Sequence, residues 1–181
     1  MPTHAAFLRA VNLGASRQVR SKELCGCLER AGFDEVASFR TSGNVVFGAP
    51  GTTRELTRRV ERILADEFGF EVPVYLRTAA QVRAIAGRQP FPPDQLELTQ
   101  GKLQVALLPS KPGRRKGEEV LALATEEDRL VLDGTELYWL PSGGTQQSAL
   151  DLPAINRSIG PYTMRTMGTI ETIAAKFFDR D

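Results

Sequence analysis

The chain has 181 residues, enough for one large domain or two small ones, and its 41% hydrophobic and 25% charged content is that of an ordinary globular protein. A formal net charge of +1 excludes a molecule-wide field for nucleic acid, so any electrostatic preference must come from local clustering. Two cysteines, Cys25 and Cys27, cannot make a disulfide framework, and no apolar run approaches the ~20 residues that a membrane span needs.

In chain order, His4 to Arg9 reads as a first strand, and Ala10 to Gln18 as a loop carrying the turn-prone Asn12, Gly14 and Ser16. Ser21 is placed to N-cap a helix running to Ala31, which Gly32 stops. Phe33 to Arg40 predicts a second strand. Thr41-Ser42-Gly43-Asn44 predicts a tight turn into the β-branched third strand Val45-Val46-Phe47. Thr52 with Glu55 makes a capping box for a helix that carries Leu56, Val60, Ile63, Leu64 and Phe68 inward and ends at Gly69. Val72 to Arg77 predicts a fourth strand. The order β-α-β-β-α-β is that of a ferredoxin-like, split-βαβ unit.

Thr78 with Gln81 opens a short helix, and residues 88–100, with PFPP inside, read as a connector. Lys102 to Leu108 alternates as a strand. Ser110 to Lys116 reads as a basic loop, and a helix is predicted over Glu118 to Thr125. Arg129 to Leu132 and Glu136 to Leu140 are strands joined through Asp133-Gly134, a strong hairpin signal. Leu150 to Ile159 predicts a helix, and Thr169 a cap for the last one. The fold class is therefore α+β, with two ferredoxin-like-type subdomains, the second a related β-α-β-β-α. Residues 1–77 form the first, 78–101 a helix and connector, and 102–181 the second with the C-terminal helix. No residue-level repeat is evident between the halves.

The topology places function. A right-handed crossover makes strands one and two parallel, and the hairpin turns strand three back. The end of strand one, the start of helix one and the strand two–three turn then share one sheet edge. Arg9, Asn12, Gly14, Arg40, Ser42 and Asn44 meet there, with Arg17, Arg20 and Lys22 close by as a basic patch. A helix start adds unpaired N–H groups and a positive dipole, so the edge suits an anion. A plainer reading of each residue stands beside this one. Asn12, Gly14 and the Ser-Gly-Asn run are also turn chemistry, Arg9 could serve an ion pair, and the patch could be a solvated face. Arg165, before the last helix, would join the cluster if the C-terminus packed back; otherwise it is a structural ion-pairing residue.

Absences narrow the chemistry. His4 is the only histidine, and there is no HExxH or CxxC, so no metal or other cofactor is expected. The opening residues carry no secretory leader pattern, which makes a cytoplasmic location the expectation.

Several motifs converge on a known family. FLRAVNLG with the following KEL, then TSGNVVF, then TMRTMGT resemble the bacterial family called domain of unknown function 1697, over nearly the whole chain. Ser42 to Phe47 match its hairpin motif throughout. Arg9, Asn12 and Gly14 match the first motif, while Ala10 and Ala15 stand where glycines are usual. Thr163, Arg165 and Thr169 match the last motif, with Thr166 in place of the usual Asn. The resemblance implies two α+β subdomains of ferredoxin-like character, and it implies no activity. The expected function is binding of a small phosphate- or carboxylate-bearing ligand at the strand one/helix one edge. An enzyme acting on a small anionic substrate and a protein-interaction module are the alternatives. Nucleic acid is a possible partner that is not favoured, because neither Phe39 nor Phe47 sits in an RNP-like motif.

Overall fold

The computed structural model of the chain describes residues 1–11, 17–40 and 43–179. They divide into two compact units, residues 1–86 with 171–181, and residues 87–170. The C-terminal helix, expected with the second unit, groups with the first.

In the first unit, β1 (His4–Leu8), α1 (Ser21–Arg30), β2 (Asp34–Ser38), β3 (Asn44–Gly48), α2 (Thr53–Phe68) and β4 (Val74–Thr78) build an antiparallel sheet in the order β2-β3-β1-β4. This is the ferredoxin-like arrangement that the sequence predicts. The alternation of each strand assigns two faces. Ala6, Leu8, Val45, Phe47, Val74 and Leu76 point toward α1 and α2, whose Leu24, Cys27, Leu28, Leu56, Val60 and Leu64 complete one core. The Thr52–Glu55 capping box forms in both directions, and Gly69 ends α2 at φ 74°. Burial raises the Cys27 thiol to about 11, in keeping with a packing role. On the other face, Ala5, Phe7, Val46, Tyr75 and Arg77 are also buried. Helix α3 (Ala79–Ala86) and the C-terminal segment pack there: Arg83 Nη1 donates to the Phe178 carbonyl at 3.0 Å, and Phe177 meets Phe39 edge to face.

The second unit holds α4 (Pro93–Glu97), β5 (Gln104–Leu107), α5 (Arg114–Leu121), β6 (Asp128–Asp133), β7 (Glu136–Pro141), α6 (Leu152–Ile159) and β8 (Thr163–Thr166). Its sheet runs β6-β7-β5-β8, the same order again. The expected β-α-β-β-α is therefore one strand short. Thr163–Thr166 pairs with β5 and completes a second β-α-β-β-α-β. The residues Arg114 to Lys116, read as loop, form the first turn of α5. There Arg114 and Arg115 pair with Glu118 and Glu119 one turn on, as a solvated helix face does. The chain then continues through α7 (Met167–Ile173) and a π-helical turn (Ala174–Phe178).

The completed second sheet exposes a repeat that the bare sequence conceals. Leu8 N–H donates to Gly43 at 2.8 Å, and Leu108 N–H to Thr135 at 2.9 Å. Ala79 N–H donates to Thr3, and Met167 N–H to Leu103, both at 2.8 Å. Ala5 faces Arg77 as Val105 faces Arg165. Each of these arginines turns Nη1 back onto the carbonyl before it, Leu76 at 3.0 Å and Met164 at 2.8 Å. The threonine that follows caps the next helix, Thr78 accepting from Gln81 N–H and Thr166 from Thr169 N–H. Leu76-Arg77-Thr78 and Met164-Arg165-Thr166 are thus one motif used twice. The last helix is capped by Thr166, not by Thr169.

Candidate functional site

The predicted edge forms at the end of β1. Phe7 pairs with Asn44, and Leu8 N–H reaches across to the Gly43 carbonyl, so the β2–β3 turn lies beside the exit of β1. Gly43 has two reasons to be glycine. Its φ is +71°, and a Cβ there would stand 2.6 Å from Val11 Cγ2 and 3.0 Å from Leu8 Cβ. Asn44 is buried, and its side-chain amide donates to the Phe39 carbonyl at 3.1 Å while Phe39 N–H donates to the Asn44 carbonyl. Asn44 therefore serves the hairpin. Ala10 and Arg40, one at each loop entrance, both hold φ 57°, the left-handed region that a side chain disfavours.

Arg9 leaves β1 with its N–H on the Pro73 carbonyl at 2.9 Å. Its guanidinium hydrogen-bonds the Tyr75 hydroxyl; burial pushes that phenol above its ordinary pKa, and Arg9 opposes the shift. Among the described residues no carboxylate pairs with Arg9. Arg17 stacks on Phe70, 5.7 Å from the ring centroid. Arg20 and Lys22 are exposed, and Arg20 lies 4.0 Å from Glu23. Arg20, not Ser21, is the N-cap of α1: its backbone is extended (φ −77°, ψ 138°), and its side chain makes no capping hydrogen bond. Arg40 lies over Phe39, 5.2 Å from the centroid. A 340 Å³ cavity adjoins the edge, lined by Glu61, Arg62, Ala65, Glu71, Val72 and Pro73. Glu61 accepts the Val74 N–H at 3.0 Å.

The structure brings Arg9 and Asn44 to one end of the first sheet, with Arg17, Arg20 and Lys22 in the segment that enters α1. Asn12, Gly14 and Ser42 lie outside the described residues. Arg165 belongs to β8 of the second unit, where it donates to Thr163 Oγ1 at 2.9 Å as well as to Met164, and burial lowers its pKa to about 10. Sequence reasoning missed Tyr75 and Arg62. Tyr75 comes beside Arg9 only through the β1–β4 register, for which the local sequence carries no signal. Arg40, expected at this edge, stands at the entrance of the β2–β3 turn.

A family model described as Protein of unknown function (DUF1697) matches residues 1–138. The chain belongs to the DUF1697 family. No curated protein matches it. Among solved structures it is similar to the conserved bacterial protein SP0830 from Streptococcus pneumoniae, with 18% identity and a TM-score of 0.75, over 96% of this chain and 97% of that one. At that identity the likeness establishes the fold, and the DUF1697 chain shares its two-unit α+β architecture through almost its whole length. Among the described residues no helix is long and apolar enough to cross a membrane.

Proposed function

We propose that this DUF1697 protein binds a small anionic ligand, phosphate- or carboxylate-bearing, at the β1 end of its first sheet. The observation that carries the reading is the Arg9 guanidinium, which hydrogen-bonds the Tyr75 hydroxyl and pairs with no carboxylate among the described residues. A structural arginine is ordinarily neutralised by an acid, whereas one oriented by a phenol keeps its charge for a ligand. Arg17, Arg20 and Lys22 add positive potential, and the first turn of α1, which the Arg20 side chain does not cap, offers N–H donors to an anion. The adjoining cavity offers volume for the rest of a small molecule. Nucleic acid is the weaker partner. The sheet face that an RRM-type module uses is buried here, Phe47 lies in the core, and Phe39 packs against Phe177.

A thermal-shift panel of inorganic phosphate, nucleotides, sugar phosphates, small carboxylates and short oligonucleotides tests this. A ligand at 100 times its dissociation constant adds ~2.7 kcal/mol, a rise of roughly 5–10 °C in Tm for a chain of this length. Arg9→Ala should abolish the rise, while Tyr75→Phe, which keeps the charge, should retain most of it. A panel that leaves the wild type unmoved refutes the reading. So does a ligand whose effect survives Arg9→Ala together with Arg20→Ala.

A further inference from the structure

The second unit holds a different kind of pocket. Asp128, the first residue of β6, is 2% exposed, yet it is a carboxylate. Its Oδ1 is fully engaged, accepting from Trp139 Nε1 and from Ser148 Oγ, each at 2.7 Å. Its Oδ2 accepts no hydrogen bond from any described residue. That oxygen is not sealed either: the enclosed side-chain oxygen without a partner among the described residues is Asn156 Oδ1. Asp128 lines a 180 Å³ cavity with Glu127, Ser142, Gly143, Gln147 and Ser148.

The walls of this cavity are built. Ser142 N–H donates to the Glu127 carbonyl at 2.7 Å, and its own carbonyl takes Gln100 N–H at 3.2 Å. Thr99 Oγ1 donates to the Pro141 carbonyl, and a Cβ on Gly101 would collide with the Pro141 and Gly143 carbonyls, so residues 99–101 clamp the loop from outside. Thr125 Oγ1 accepts the N–H of Asp128 at 2.9 Å, and Ser148 Oγ accepts that of Leu150 at 3.0 Å. These bonds hold the backbone of residues 125–128 and 141–150 around the space. Asp128, Glu127, Ser142 and Gln147 are the residues with acceptor side chains that line the space beside Ser148. Among the described residues no Lys or Arg lines it.

A buried carboxylate is costly unless each oxygen has a partner. One oxygen is locked by two donors that also aim the other, which is the arrangement of a preorganised acceptor. Among the described residues no three His, Cys, Asp or Glu side chains gather to hold a metal ion. The occupant that fits is compact, cationic and rich in hydrogen-bond donors. We propose that this cavity binds the primary ammonium group of a small amine, with its charge on Asp128 Oδ2 and its other N–H bonds on Ser142 Oγ and Gln147 Oε1.

Trp139 is the chain's only tryptophan, so its indole N–H is a unique reporter on the other oxygen of the same carboxylate. Methylammonium chloride is titrated into the ¹⁵N-labelled full chain against sodium chloride of equal ionic strength. The proposal expects a saturable shift of the indole N–H and of the Gly143 and Ser148 amides with methylammonium alone. Asp128→Asn should weaken the apparent Kd roughly tenfold or more, the loss of a charge-assisted hydrogen bond. Ser142→Ala, which leaves the Asp128–Trp139–Ser148 network intact, should weaken it by a smaller factor and decides the matter if Asp128→Asn does not fold. Equal shifts in sodium chloride, no saturation, or an affinity unchanged in the folded variants would each overturn the proposal.

Discussion

Substituting Gly43 by alanine tests whether the close approach of the β2–β3 turn to the exit of β1 is what demands glycine in the Ser-Gly-Asn motif. Gly69 supplies the control. The two share a left-handed backbone, φ +71° and +74°, but an added Cβ at Gly69 meets nothing within 4 Å. Gly69→Ala therefore costs only the left-handed backbone of an alanine, about 1–2 kcal/mol, partly offset by the lower entropy of the unfolded chain. Gly43→Ala carries that cost and also places Cβ 2.6 Å from Val11 Cγ2 and 3.0 Å from Leu8 Cβ. Neither neighbour can yield easily, since Val11 is a buried β-branched residue with a stiff χ1 and Leu8 is fixed in β1. Overpacking of this kind adds roughly 1–3 kcal/mol, for a total of about 2–4 kcal/mol. Urea unfolding of the two variants with an unchanged slope measures both losses. Equal losses would refute the steric argument and leave only the turn's backbone angle.

Three further outcomes are expected. Ala10→Gly relieves a left-handed alanine and should raise the unfolding free energy by about 0.5–1 kcal/mol in urea titrations; a loss would show that its Cβ packs usefully. Thr166→Asn keeps a cap on Thr169 N–H and should change stability by less than about 0.5 kcal/mol, whereas Thr166→Ala should cost about 1 kcal/mol, with a reversed order refuting the capping role. Burial lowers the pKa of His4 from its ordinary 6.5, so the folded state prefers the neutral ring. Its stabilising contribution is full above pH 6.5 and is lost as the pH falls through that value toward the lowered one. Wild type should therefore lose more stability than His4→Phe across that window, and identical pH profiles would contradict it.

The candidate site was half legible. That Arg9, the β2–β3 turn and the start of α1 share an edge followed from element order alone, because a right-handed crossover and a hairpin leave those termini one arrangement. Asn44 changed meaning once its amide was seen on the Phe39 carbonyl, as a hydrogen bond to backbone spends the group that a ligand would need. The partner of Arg9 was beyond reach, since Tyr75 lies on a strand whose register with β1 is a long-range fact.

Sequence by itself determined what neighbouring residues negotiate: the Thr52–Glu55 and Thr78–Gln81 capping boxes, the apolar stripe of α2 and its stop at Gly69, the Asp133-Gly134 hairpin, and so the first β-α-β-β-α-β. These rest on caps, periods and turn geometry that act within a few residues. Tertiary structure alone decided the rest. Four residues, Thr163–Thr166, carry too short an alternation to declare a strand, and become one because β5 offers unpaired backbone some sixty residues earlier in the chain. The same pairing aligns Arg165 with Arg77 and discloses the repeat. Asp128, Trp139 and Ser148 look unrelated along the chain; they form one network because β6, β7 and the loop after it converge on a carboxylate that cannot be buried alone.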